Sequence, residues 1–138
     1  MNILVIDGQG GGVGRQLVEN IKKAFPMETV TAVGTNALAS QAMLKAGADR
    51  AATGENAVIV ACRTADIVVG PIGIAIADSL WGEITPAMAL AVGQSNAVRI
   101  LLPMNLCSNL IAGIDKLQTS AIIDDCIVKI GEILKEMA

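Results

Sequence analysis

The run Asp7-Gly-Gln-Gly-Gly-Gly-Val-Gly14 places five glycines in eight residues, directly after the apolar stretch Ile3-Leu-Val-Ile6. The chemistry open to such a turn is anion binding. With no Cβ in the way, the N–H groups of Gly8, Gln9, Gly10, Gly11, Gly12, Val13 and Gly14 can close around a phosphate. A helix starting near Val13 would aim its partial positive charge at the same point. An early glycine permits the tight turn, middle ones admit the diphosphate, and the last lets the helix pack on the sheet. A turn that serves only this packing is the plainer reading of the same residues. Asp7 divides in the same way: it can accept hydrogen bonds from the turn's own amides, or act as a magnesium-bridging or catalytic carboxylate.

The spacing narrows the chemistry. Gly8, Gly12 and Gly14 fit G-x-x-x-G-x-G, and Gly8, Gly11 and Gly14 fit G-x-x-G-x-x-G, similar to the fingerprints of short-chain dehydrogenases. The stricter G-x-G-x-x-G does not fit, and no Lys-Ser/Thr follows to make a Walker A loop. Short-chain dehydrogenases relay a proton through Tyr and Lys, and this sequence has no Tyr and no His. That mechanism is excluded. Asp7, Glu55, Asp78 and Cys107 are the groups left for proton chemistry, and Cys107 has no His to activate it.

Other strand ends would converge on this turn, because ligands of open parallel sheets bind beyond the strands' carboxyl ends. Thr35 and Asn36 follow the second strand, where an acid usually selects NAD and an Arg NADP; neither charge is present. Both can hydrogen-bond a ribose or a 2′-phosphate, and Asn36 can equally cap a helix. Gly70, Pro71, Ile72 and Gly73 follow the fourth strand and offer a second approach to a ribose or diphosphate, or an ordinary turn. Met104-Asn-Leu-Cys-Ser-Asn109 follows the fifth. The cofactor expected is NAD or NADP, with another nucleotide open.

The elements that must hold these residues read as one α/β domain over residues 1–138. The expected fold is Rossmann-like and doubly wound, a mainly parallel sheet of about five or six strands with helices on both faces. Strands are predicted at 3–6, 29–33, 49–52, 67–70 and 99–102, with an edge strand at 110–114. Helices are predicted from about Val13 to Pro26, from Asn36 to Gly47, from the polar turn Thr53-Gly-Glu-Asn56 to about Thr64, over 75–80, 86–94 and 119–137. The last carries an apolar stripe of Ile123, Ile127, Ile130, Ile133, Leu134 and Met137.

Composition sets outer bounds. The chain is 53% hydrophobic but has only Phe25 and Trp81 as aromatics, so an aliphatic core is expected. A formal charge of −3 and the want of stacking aromatics argue against nucleic acid. The apolar stretch from Ile67 ends at Asp78, short of the ~18 residues a membrane span needs, and no secretory signal is visible. A cytoplasmic protein is expected. Cys62, Cys107 and Cys126 form no zinc or redox motif, and no metal site is expected. Apolar residues in Ile72–Leu80 and Ala87–Val92 suggest a homo-oligomer, a dimer.

The stretches Ile6–Gly14, Gly34-Thr-Asn-Ala-Leu-Ala39, Ala52-Thr-Gly-Glu-Asn-Ala57 and Val69-Gly-Pro-Ile-Gly73 resemble a family of short bacterial proteins classed as a domain of unknown function. The resemblance covers the full chain, implies a bacterial, clostridial-type origin, and supplies no catalytic residues. Three functions follow as expectations. The chain binds a nucleotide as a sensor or accessory module; it is a small oxidoreductase with its site at a dimer interface; or it is a partner-binding domain without ligand.

Overall fold

A computed structural model describes residues 1–104, 106 and 108–138. Five strands form, β1 (Asn2–Asp7), β2 (Thr29–Gly34), β3 (Arg50–Thr53), β4 (Ile67–Pro71) and β5 (Val98–Leu102), apolar and β-branched except at the mostly exposed edge strand β3. They pair in parallel throughout, in the order β3-β2-β1-β4-β5. The winding reverses between β1 and β4, and their carboxyl ends frame the crevice in which such sheets take ligands. The doubly wound parallel fold expected from the sequence is the one observed.

Helices α1 (Gly12–Ala24), α2 (Ala37–Lys45), α3 (Glu55–Cys62), α4 (Pro86–Gln94) and α5 (Thr119–Met137) cover both faces. β1, β2 and β4 are nearly all buried residues, as expected for strands covered on both sides. Alternate residues feed two cores. Ile3, Val5, Val30, Ile67 and Val69 meet Leu17, Val18 and Ile21 of α1, Met43 of α2, and Ile122, Ile123, Cys126 and Ile130 of α5. Leu4, Ile6, Val33 and Val68 meet Val58 and Cys62 of α3, and Met88, Ala89 and Val92 of α4.

Caps fix the helix starts. Asn36 accepts from the Ala39 amide at 2.9 Å to open α2, and Thr85 accepts from Met88 at 3.2 Å to open α4 behind Pro86; both are favoured N-cap residues. The turn Thr53–Asn56 begins α3 differently. Gly54 is its N-cap, with no side-chain cap, and the Gly54 amide instead extends the β2–β3 ladder to the Gly34 carbonyl.

Four expectations are corrected. Residues 75–80 are not a helix: a 3-10 turn, Ile72–Ala75, is followed by turns through Glu83. Residues 110–114 form no strand, since they pair with nothing in the sheet. Of the α5 stripe, Ile123 and Ile130 are buried and Ile127, Ile133 and Leu134 pack against the core, joined by Ile122 and Cys126, but Met137 stands exposed. Leu38, which helical spacing groups with Ala39, Ala42, Met43 and Ala46 on one apolar face of α2, is likewise exposed, and Ser40 takes the inward place beside Ala39 and Met43. Most apolar residues behind the dimer expectation are absorbed by the chain itself: Ile74, Leu80, Met88, Ala89 and Val92 are core, and Ala75 and Ala91 pack against it.

Candidate functional site

Asp7 ends β1 and is buried, 3% exposed. Its Oδ1 accepts from the Gly8 amide at 2.8 Å and its Oδ2 from the Gly14 amide at 2.7 Å. The carboxylate thus ties the turn to the third residue of α1, satisfying an amide that a helix start leaves unpaired. Burial pushes the Asp7 carboxyl above its ordinary value, the two amides pull it back, and Glu83 raises it again. Of the two roles read for Asp7, the structural one accounts for both oxygens.

The glycines separate into two kinds. A methyl group at Gly14 would lie 2.6 Å from Met43 Sδ and 2.8 Å from Asp7 Cβ, and one at Gly11 would lie 2.8 Å from the Ala39 backbone. Gly11 is also left-handed, at φ 72°. These two let α1 and α2 pack against the turn. Gly10 and Gly12 are exposed, and a methyl on either would meet nothing. The amides of Gly10, Gly12 and Val13 have no protein acceptor among the described residues. The open part of the turn is therefore Gly10–Val13. Within it Gly11 is engaged by the protein: its amide donates to the Gly8 carbonyl at 2.9 Å, and its α-carbon packs on Ala39.

The residue that sequence reasoning missed is Glu83. It comes from the segment linking β4 to α4, and its carboxylate lies across the mouth of the crevice. Its Oε1 accepts from the Thr35 hydroxyl at 2.7 Å, the Asn36 side-chain amide at 2.7 Å and the Gln9 amide at 3.0 Å. Asn36 also donates to the Gln9 carbonyl at 2.8 Å. An acid therefore does stand at the end of β2, supplied from 48 residues further on. Burial pushes the Glu83 carboxyl up, but the bonds from Thr35, Asn36 and Gln9 outweigh it and hold the group below its ordinary value. No local motif signals this, because the contact spans three separate elements.

Across the crevice, Gly70 and Pro71 are the buried end of β4, and a methyl at Gly70 would lie 2.4 Å from the Ile6 carbonyl oxygen. Ile72 is half-buried and Gly73 buried. The side chain of Leu80 lies against both Gly8 and Gly73, so the two strand ends are bridged there. Gly70 and Gly73 serve close approach, to Ile6 and Ile74 and to Ser79 and Leu80 respectively.

The remaining candidates lie apart. Glu55 is exposed in the first turn of α3, and Asp78 is exposed in the β4–α4 segment. Cys107, and Asn105 beside it, lie outside the described residues. Cys62 and Cys126 are free and buried; burial raises both thiols, Cys126 to about 12. No cluster of His, Cys, Asp and Glu among the described residues could hold a metal. No helix among them is long and apolar enough to cross a membrane. Several surface cavities lie away from the turn, among them one of about 440 Å³ between α2 and β3 and one of about 350 Å³ between α3 and α4. The second is remote from the convergent polar groups, whereas the first begins at Ala37 and Ser40, beside Asn36.

With a doubly wound sheet and a polar cluster at its reversal point, the chain is of the Rossmann-like class. It belongs to the family described as "Domain of unknown function (DUF3842)", which it matches over residues 2–135. No curated protein matches it. Among solved structures it is similar to a dodecameric FMN-dependent UbiX-like decarboxylase from Escherichia coli O157:H7. That pair is 14% identical, with a TM-score of 0.46, over 99% of this chain and 94% of the other.

Proposed function

We propose that the protein binds a nucleotide, of the NAD type, in the crevice between β1 and β4, and acts as a sensor or accessory module. The observation that carries this reading is the set of open amides at Gly10, Gly12 and Val13. They lie at the head of a 13-residue helix, at the point where the sheet order reverses. This is a cradle that side chains would fill, and it suits a diphosphate. Gly70–Gly73 would form the opposite wall.

The cluster of Glu83, Thr35 and Asn36 favours an unmodified ribose over a 2′-phosphate. A carboxylate accepts hydrogen bonds from ribose hydroxyls, whereas it repels a phosphate placed against it. Glu83 contacts the Gln9 end of the turn, which leaves Gly10–Val13 for the diphosphate. The bound dinucleotide supplies a redox-active ring, but the chain has neither Tyr nor His to move a proton beside it, and both oxygens of Asp7 are engaged. Binding without turnover is the reading that needs fewest further groups. A homodimer belongs to the same proposal, with exposed Val60 and Leu90 on the α3–α4 face as its apolar contribution.

Calorimetric titration with NAD(H), NADP(H), FAD, ATP and GTP tests the reading. NAD is expected to bind, and NADP to bind at least tenfold more weakly. Glu83→Gln is expected to narrow that gap. Absence of heat with every nucleotide refutes the proposal.

A further inference from the structure

Trp81 is the chain's one tryptophan, and Phe25 its only other aromatic residue. An indole is among the largest apolar surfaces a fold can bury, yet Trp81 is 96% exposed. Its backbone is unfavourable as well. Leu80 and Trp81 both have φ 57°, between Asp78 at 66° and Gly82 at 83°. Bulky side chains rarely adopt this region, and each pays for it in free energy. A small domain short of aromatics thus spends its tryptophan on a strained turn in solvent.

The turn is held at both ends to the glycine loop. On one side Leu80 is buried against Gly8; on the other Glu83 bonds Gln9, Thr35 and Asn36. Backbone bonds from Glu83 to Leu80 at 3.1 Å and from Gly82 to Asp78 at 3.1 Å close the turn between them. Trp81 is thereby held in the segment that borders the same crevice, one residue from one anchor and two from the other. Strain of this kind persists where the surroundings over-determine it, and it gathers at ligand clamps.

We propose that Trp81 is the platform on which the base of the bound nucleotide stacks, a ligand contact that rests on the nucleotide reading above. The geometry orders the ligand along the crevice: diphosphate on Gly10–Val13, ribose on Glu83, and base beyond the ribose, where Trp81 stands. The chemistry recognised is a flat aromatic ring joined to a ribose. Stacking accepts any such ring, so Trp81 adds affinity while Glu83 sets the choice of ribose.

The lone tryptophan is its own reporter. Wild type, Trp81→Ala and Trp81→Phe are titrated with ADP and with ribose 5-phosphate, followed by calorimetry and, where the indole is present, by its emission. ADP is expected to quench Trp81 emission. Trp81→Ala is expected to bind ADP about tenfold more weakly or worse, and Trp81→Phe to recover most of the loss. Ribose 5-phosphate, which lacks a base, is expected to bind wild type and Trp81→Ala alike. If ADP binds without changing the emission and Trp81→Ala binds it equally well, Trp81 is not the platform, although the nucleotide site stands. If that variant instead loses self-association in sedimentation while keeping its ADP affinity, Trp81 is a contact between copies and the inference fails. If ADP gives no heat at all, the inference falls together with the reading beneath it.

Discussion

Asp7 and Glu83 flank one crevice, and their carboxyls are displaced from their ordinary values in opposite directions. Asp7 is displaced upward from 3.8 mainly by burial, so its ionisation opposes folding. Its contribution is greatest below that value and declines as pH rises through the higher folded one. Glu83 is displaced downward from 4.5 by its three donors, against the opposing effect of burial. Its contribution is present above that value and is lost as pH falls through the lower folded one. Glu83→Gln keeps a hydrogen-bond acceptor and removes the charge. The stability difference between wild type and this variant in urea should therefore be largest near neutrality and vanish on acidification; a difference that does not change with pH contradicts the assignment. Asp7→Ala leaves the buried amides of Gly8 and Gly14 without an acceptor, and should cost about 1–3 kcal/mol in the same assay.

At the scale of elements, the turn between β1 and α1 does two jobs on alternate residues. Gly14→Ala pushes a methyl into Met43 and Asp7 and should destabilise by about 1–3 kcal/mol. Gly12→Ala enters open space and should leave stability nearly unchanged, by urea or heat. Equal costs at the two positions would mean that the turn is packing alone. This alternation is not legible in the glycine spacing, since Gly11 and Gly12 are neighbours with opposite surroundings. The strand, turn and helix around them were legible, because Ile3–Ile6 is uniformly apolar and Leu17, Val18 and Ile21 recur at helical spacing. Asn36 and Pro86 marked helix starts by their side-chain chemistry. The segment from Ile76 to Glu83 was not legible. Its apolar residues suggest a helix, but Leu80 and Trp81 lie in the left-handed region, which their side chains do nothing to announce.

Over the whole molecule, local patterns carried the architecture, while the site depends on contacts they do not encode. Parallel pairing and helices on both faces follow from short apolar strands alternating with amphipathic helices. The apolar content of Ile72–Leu80 and Ala87–Val92 pointed to a partner surface, but the chain buries most of it in its own second core, since α4 and the 3-10 turn fold onto β4. The acid missing from Thr35-Asn36 arrives from Glu83, which reaches them across 48 and 47 residues of chain. Such a pairing exists only once the sheet order has brought the ends of β1, β2 and β4 together.

Heat denaturation of wild type and Gly12→Asp with NAD asks whether the open amides of this turn hold the diphosphate of a nucleotide. A Cβ at Gly12 meets nothing within 4 Å, so the variant should keep its fold while a negative charge enters the cradle. At ten times its dissociation constant, NAD should stabilise the wild type by about 1.4 kcal/mol, a rise in Tm of roughly 4–6 °C. Gly12→Asp should melt normally and show no rise. An equal rise in both proteins, or none in either, would contradict the account.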